Sequence, residues 1–183
     1  MKTNPKTYIN GFERLRRPER LEMLEVPRVL DIIIENFNIS SALDVGCGSG
    51  IFLDAFTKRG IFTCGIDLNL VFIIATREIV PNSHLAASYA EYLPFRKQSF
   101  DVVFMSHLLH ESDKPDIVLK QAKEVCKKGI AILEWPYKKE DMGPPLEHRL
   151  KEEDVSTFAI KAGLNSIKPV YLKRQILYLI KKN

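Results

Sequence analysis

Ala42-Leu43-Asp44-Val45-Gly46-Cys47-Gly48-Ser49-Gly50 reads as a short apolar strand that passes directly into glycines at alternate positions and then into a helix. Glycine lets the backbone turn tightly and lets a ligand reach atoms that a Cβ would shield, and the helix N-terminus beyond offers free N–H groups. The stretch therefore predicts a strand–turn–helix with a ligand at the turn. Alone it does not choose the ligand, because the same turn serves dinucleotides or simply closes a βα connection.

Outward from this turn, short β-branched runs alternate with longer amphipathic segments, the pattern of a parallel sheet covered by crossover helices. Strands are predicted at Ala42–Val45, Thr63–Asp67, Leu85–Ala87, Asp101–Ser106 and Ile130–Glu134, with helices over Gly50–Arg59, Leu70–Ile79 and Lys114–Cys126. A further helix over Glu152–Ala162 closes at Gly163, and Ser166–Val170 and Gln175–Ile180 read as a final, hairpin-like pair of strands. Upstream, Leu21, Leu24, Val29, Ile32, Ile33 and Phe37 recur near helical spacing from Arg20 to Phe37, with Pro27 as the kink or boundary. Pro136, Pro144 and Pro145 bracket a polar stretch that predicts a long loop.

With 183 residues, 45% hydrophobic and 27% charged, the chain suits one ordinary globular domain. A formal charge of +4 from 27 basic and 23 acidic residues gives little reason to expect nucleic acid, which wants basic side chains gathered on one face. The basic clusters Arg14, Arg16, Arg17, Arg20 and Lys138, Lys139 are interleaved with acids and read as solvated surface. Cys47, Cys64 and Cys126 show no metal-binding spacing, and their odd number suits reduced thiols in a cytoplasm. Residues 1–20 lack the pattern of a signal peptide, and no run approaches the ~18 apolar residues that span a bilayer, so no membrane partner is expected.

Two acids narrow the ligand. Asp44 stands near the end of an otherwise apolar strand, where a carboxylate is costly to desolvate unless a cation or several donors meet it. Asp67 closes the next apolar run twenty-one residues after Gly46, where an acid at the tip of a neighbouring strand accepts from the two hydroxyls of a ribose. A nicotinamide dinucleotide and S-adenosylmethionine both carry that ribose. The dinucleotide turn G-x-G-x-x-G would need glycine where this chain has Ile51, and Asp44 would repel its pyrophosphate. The ammonium and sulfonium of S-adenosylmethionine would instead be attracted.

At this point the chain resembles the class I S-adenosylmethionine-dependent methyltransferases, in the small-molecule, type 11-like branch. Leu43–Gly50 is similar to the family's first motif and Gly65-Ile66-Asp67 to its second. Ala90-Glu91-Tyr92-Leu93-Pro94-Phe95 followed by Ser99-Phe100-Asp101-Val102-Val103 is similar to its third and fourth. The resemblance covers about Ile39 to Trp135. It implies an α/β, Rossmann-like doubly wound domain whose mostly parallel, seven-stranded sheet has helices on both faces and its last strand antiparallel. It implies that Asp44 and Gly46 meet the methionine end, Asp67 the ribose, Leu68 the adenine, and the backbone around Ala90 and Glu91 the adenine edge, with Cys47, Gly48 and Ser106 also among the cofactor-binding residues. Tyr89 stands where the family often has an aspartate for the adenine amino group.

The acceptor side is less sharply marked. Phe104-Met105-Ser106-His107-Leu108-Leu109-His110-Glu111 leaves the fourth strand at the end where such folds bind ligands, so His107 and His110 are candidate bases or simply cleft-lining residues. Glu134 and Trp135 end the fifth strand, and the segment Met142–Arg149, with His148, is expected to fold back over the same rim. His107, His110, Glu134 and His148 are all of metal-ligand type, but nothing in their spacing requires a metal. The Asn/Asp-Pro-Pro-aromatic signature of amino-methylating nucleic-acid enzymes is replaced by Ser106-His107-Leu108-Leu109. Tyr8, Phe12 and the broken helix form either a lid or a frayed tail with a packing helix.

The expectation is thus one cytoplasmic methyltransferase domain over residues 1–183, with 1–38 a helical segment and 39–183 the core, acting on a small molecule. The rivals are a nicotinamide-dependent oxidoreductase, a non-catalytic cofactor-binding module and an RNA methyltransferase.

Overall fold

A computed structural model describes residues 11–182; Tyr8 lies outside the described residues. The chain opens with two short helices, α1 (Phe12–Leu15) and α2 (Pro18–Met23), followed by α3 (Val26–Phe37). The predicted break falls just before Pro27, at Glu25, whose φ of 44° turns the chain. Pro27 itself lies in the first turn of α3, where its missing N–H would have had no intrahelical acceptor. No residue of α1 is buried, whereas α3 buries Val29, Leu30, Ile33 and Phe37 along one stripe.

The alternating region follows as β1 (Ser41–Val45), α4 (Ile51–Lys58), β2 (Phe62–Asp67), α5 (Leu70–Ile79), β3 (His84–Ala87), β4 (Phe100–Ser106), α6 (Pro115–Val125) and β5 (Cys126–Glu134). It closes with α7 (Glu152–Lys161), β6 (Ser166–Tyr171) and β7 (Ile176–Lys181). The seven strands form one sheet in the order β3-β2-β1-β4-β5-β7-β6. All pairings are parallel except those of β7, which runs antiparallel to both β5 and β6.

Side-chain alternation along the strands builds two cores. Leu43, Val45, Val103, Met105, Ile130 and Ile132 face Val118, Leu119 and Ala122 of α6 and Val155 and Ala159 of α7. Ala42, Val102, Phe104, Ala131 and Leu133 face α3 and the phenyl rings of Phe52 and Phe56 on α4. Each such fully buried aliphatic or aromatic side chain contributes about 1.5–3 kcal/mol, so the sheet's central strands are the rigid frame. Edge strand β6 carries Pro169, which a central strand would not tolerate.

One boundary departs from expectation: β5 begins at Cys126, not Ile130. Lys127 and Lys128 are exposed and carry no apolar signal, yet pairing with β4 reaches back to Phe100↔Cys126 across an irregular register.

Between β1 and β4 the strand order reverses, because β1 connects onward to β2 on one side while β4 lies on the other. A crevice opens there at the carboxyl ends of the strands, where doubly wound folds bind ligands. Among the described residues, no helix is long and apolar enough to cross a membrane.

Candidate functional site

The crevice is a cleft of about 1450 Å³ whose floor is the glycine turn after β1. Gly46 and Cys47 both donate backbone N–H to Ile66 O (2.8 and 2.9 Å), tying the turn to the tip of β2. Thr76 of α5 donates its hydroxyl to Gly48 O at 2.8 Å. The glycines are required for different reasons. At Gly50 (φ 71°) a Cβ would stand 2.5 Å from Thr76 Cγ2, so this glycine exists for packing. At Gly48 (φ 50°) a Cβ would meet Leu15 Cδ1 at 3.5 Å and Gly46 O at 3.9 Å, both ordinary contacts, so this glycine keeps the backbone open toward the cleft.

Asp44 is 2% exposed and points to the α4 side, where it accepts from the backbone of Leu53 in the first turn of that helix. Burial, and then the negative charge of Asp67, push its carboxyl up to about 8, and the Leu53 amide offsets only part of this. Asp67 accepts from Gly48 N (Oδ2, 2.8 Å) and Asn69 N (Oδ1, 2.8 Å), yet burial still raises its pKa. Asp101, at the opposite end of β4, shows what a satisfied buried carboxylate looks like. One of its oxygens takes Ser40 N, Ser40 Oγ and Ser41 N. Although burial works against it, the Ser40 bonds and then Lys128 and Lys127 hold its pKa below the usual carboxylate value. Asp44 has the burial with only the Leu53 amide to offset it, an environment in which a nearby cation would favour the charged form.

The far wall is built by the ends of β4 and β5. His107 takes a left-handed φ of 56°, uncommon for a residue with a side chain, and its backbone donates to Leu133 O at 2.8 Å. Its ring stacks on Trp135 (centroids 4.7 Å, 18°). Nδ1 lies 3.4 Å from Arg20 Nη2; Nε2 is buried without a hydrogen-bond partner. Burial, then Arg20 and His110, hold the imidazole well below its ordinary pKa, so it is neutral. His110 Nδ1 lies 2.7 Å from Glu134 Oε2, and its backbone N–H donates to Glu134 Oε1 at 3.2 Å.

Asp44, Gly46, Cys47, Gly48, Asp67, Leu68, Ala90, Glu91, Ser106, His107, His110 and His148 all line the cleft. Glu134 does not: it stands behind His110, 2% exposed. The four residues of metal-ligand type therefore do not converge, and among the described residues no group of three or more could hold a metal ion. Glu91 is held by Ser112 Oγ at 2.8 Å across the mouth, and Tyr89 is half-exposed on the rim.

The reading of the basic cluster near the N-terminus as solvated surface holds for Arg14 and Arg17, which are exposed, but not for Arg16 and Arg20, which are half-buried. Arg14, Arg17 and Arg20 line the cleft, and Arg16 Nη1 donates to Ser49 O at 2.7 Å in the glycine turn. Leu15 covers Gly48, and Phe12 meets Phe72 of α5 edge-on at 5.6 Å. These contacts join residues thirty-three and more positions apart, so no local pattern announced them. A second residue escaped sequence reasoning. Arg149, 5% exposed, donates to the carbonyls of Pro136, Lys138, Met142 and Pro144 (2.6–3.2 Å) and lies over the Trp135 ring. It fastens the proline-rich loop beside the cleft.

A family model described as a methyltransferase domain matches residues 43–133. Over 91 residues the chain is 29% identical to the ubiquinone biosynthesis O-methyltransferase of Coxiella burnetii, covering 48% of this chain and 39% of that protein. It is likewise 29% identical over 126 residues to the phosphatidylethanolamine N-methyltransferase of Cereibacter sphaeroides, covering 66% of this chain and 62% of that one. The chain thus spans less than two thirds of the length of these curated relatives. The crystal structure of a SAM-dependent methyltransferase from Aquifex aeolicus superposes with a TM-score of 0.82 at 25% identity, over 93% of this chain and 95% of that one.

Proposed function

This chain belongs to the class I S-adenosylmethionine-dependent methyltransferase family, and from that premise we propose that it transfers a methyl group from S-adenosylmethionine to a small-molecule acceptor. The observation that carries the assignment of its donor site is Asp44: a buried carboxylate at the edge of a glycine turn, its pKa pushed up to about 8 by burial and then by the charge of Asp67. A cationic ligand offsets that shift, whereas the diphosphate of a nicotinamide dinucleotide would deepen it.

When bound, the cofactor supplies a methyl group on a positively charged sulfur, with an ammonium at its amino-acid end. The protein contributes position and electrostatics. Asp44 meets the cationic end beside Gly46, Cys47 and Ser106. Asp67, fixed by Gly48 N and Asn69 N, accepts from the ribose hydroxyls. Leu68, half-exposed, flanks the adenine, with the backbone of Ala90 and Glu91 along its edge. Leu15 and Arg16 close over the turn as a lid, which supports reading residues 11–38 as part of one domain with the sheet.

The cleft of about 1450 Å³ exceeds the roughly 300–1,000 Å³ of a site for one small ligand, leaving room for donor and acceptor together. Arg16 and Arg20 are spent on Ser49 and His107, which favours a small molecule over nucleic acid as acceptor. Three buried free cysteines favour the cytoplasm.

Titration calorimetry with S-adenosylmethionine, S-adenosylhomocysteine and NAD tests the reading. Binding of the first two, with NAD inert, is expected. NAD binding without the others would reverse the assignment in favour of an oxidoreductase.

A further inference from the structure

Resting on that reading, we infer that loop residues 142–148, held in place by Arg149, form the recognition wall for the acceptor, and that this wall takes an acceptor whose body is apolar and uncharged.

Residues 136–145 lie outside helix and strand, as Pro136, Pro144 and Pro145 require, so their carbonyls have no regular ladder to join. Arg149 supplies donors instead: Nε to Pro144 O, Nη1 to Pro136 O and Lys138 O, and Nη2 to Met142 O. Its guanidinium also lies over the Trp135 ring, 5.4 Å from the centroid. Gly143 rests its backbone on the same ring. With φ at 90°, a Cβ there would stand 2.8 Å from Trp135 Cδ2, so any side chain would lift the loop. The ring in turn stacks on His107, so the loop and the end of β4 share one support. Arg149 does not itself line the cleft; it acts through the loop and is a positioning residue.

The loop follows β5, which lies across β4 from the glycine turn. With the donor on Asp44, Asp67 and Leu68, the part of the cleft beside the loop is left to the acceptor. Met142, Gly143, Pro144, Pro145 and His148 line it, and none of these is a lysine, an arginine or a carboxylate. Met23, Leu24 and Phe52, each buried, line the same cleft. Asp141, just before the loop wall, is exposed, where water and salt screen it. Arg149 has its donors spent on carbonyls, and the arginines that do line the cleft stand in the N-terminal helical segment. A charged acceptor would lose water against this wall without gaining a partner, whereas an apolar one gains from every surface covered.

Naphthalenemethanol, naphthoate and naphthylmethylammonium carry no charge, a negative charge and a positive charge on one carbon frame. Titration calorimetry with each, at saturating S-adenosylhomocysteine, tests the inference. The neutral probe should bind at least about tenfold tighter than either ion. An ion bound as tightly as the neutral probe, or no binding of any probe while S-adenosylhomocysteine binds, would overturn the inference and leave the cofactor reading standing. Failure of S-adenosylhomocysteine itself to bind would sink the earlier reading instead.

Three substitutions tie that preference to the loop. Met142→Lys, at an exposed position on the cleft wall, should weaken the neutral probe and strengthen naphthoate. Arg149→Lys and Gly143→Ala release or lift the loop, so each should weaken the neutral probe while affinity for S-adenosylhomocysteine stays as in the parent. A merely structural role would lower both affinities together, and that result, or neutral-probe binding indifferent to all three changes, would refute the assignment. Should Arg149→Lys fail to fold, Met142→Lys alone decides, because its side chain holds up no part of the loop's hydrogen bonding.

Discussion

Asp44 and Asp101 are buried aspartates on neighbouring strands with opposite proton affinities, and the difference lies in their donors. The folded protein holds the Asp44 proton more tightly than the unfolded chain does, since its pKa rises from 3.8 to about 8. Its contribution to stability is therefore fully present below about pH 4 and is lost as pH rises to about 8, with a slope of at most about 1.4 kcal/mol per pH unit. Asp44→Asn keeps an oxygen for the Leu53 amide and cannot ionise. Ligand-free, it should melt above the parent by a margin that widens from pH 4 to pH 8, measured by calorimetry, while its affinity for S-adenosylmethionine falls at least about tenfold. A constant margin would show that Asp44 is not the strained group. The glycines give a second contrast. Gly50→Ala must push Thr76 aside as well as adopt a positive φ, so it should cost more stability than Gly48→Ala, whose added methyl has room. Both changes fall in the turn, but only Gly48→Ala should weaken cofactor binding beyond its effect on melting. Spacing alone exposed both acids; it did not separate packing glycine from ligand-facing glycine, because that depends on α5 and Leu15.

The elements divide into those announced by local pattern and those created by distant contact. The limits of α5 match its apolar run, and the predicted break after α2 falls within a few residues of Pro27, because hydrophobic period and proline act locally. By contrast, α1 is four residues long with nothing buried, and its place over the glycine turn depends on Arg16, Leu15 and Phe12 reaching partners far along the chain. The loop over 136–145 was visible as prolines; what fastens it was not. Arg149 satisfies four carbonyls of the loop's own backbone. Arg149→Lys retains the charge and loses the fork. We expect it to destabilise by about 1–3 kcal/mol in chemical denaturation and to open residues 136–148 to proteolysis. Cofactor affinity should hardly change, because Asp44 and Asp67 stand on other elements. An unaltered loop would remove Arg149 as its organiser.

Across the whole molecule, one sheet sets both walls of the cleft. The reversal of strand order at β1 and β4 puts the glycine turn on one side and the His107–Trp135 stack on the other. The parallel order was legible because alternating strand and helix patterns admit few topologies; the β6–β7 pair was legible as hairpin-like, whereas its antiparallel place in the sheet was legible only through resemblance. The chemistry divides likewise: the donor side follows from a contiguous motif, whereas Glu134 behind His110 is a pairing across twenty-four residues that spacing does not reveal. The most direct measurement is a crystal structure with S-adenosylhomocysteine. The account predicts its amino-acid end against Asp44 and the glycine turn and its ribose hydroxyls on Asp67. A ligand seated elsewhere, with both carboxylates touching only protein and water, would contradict it.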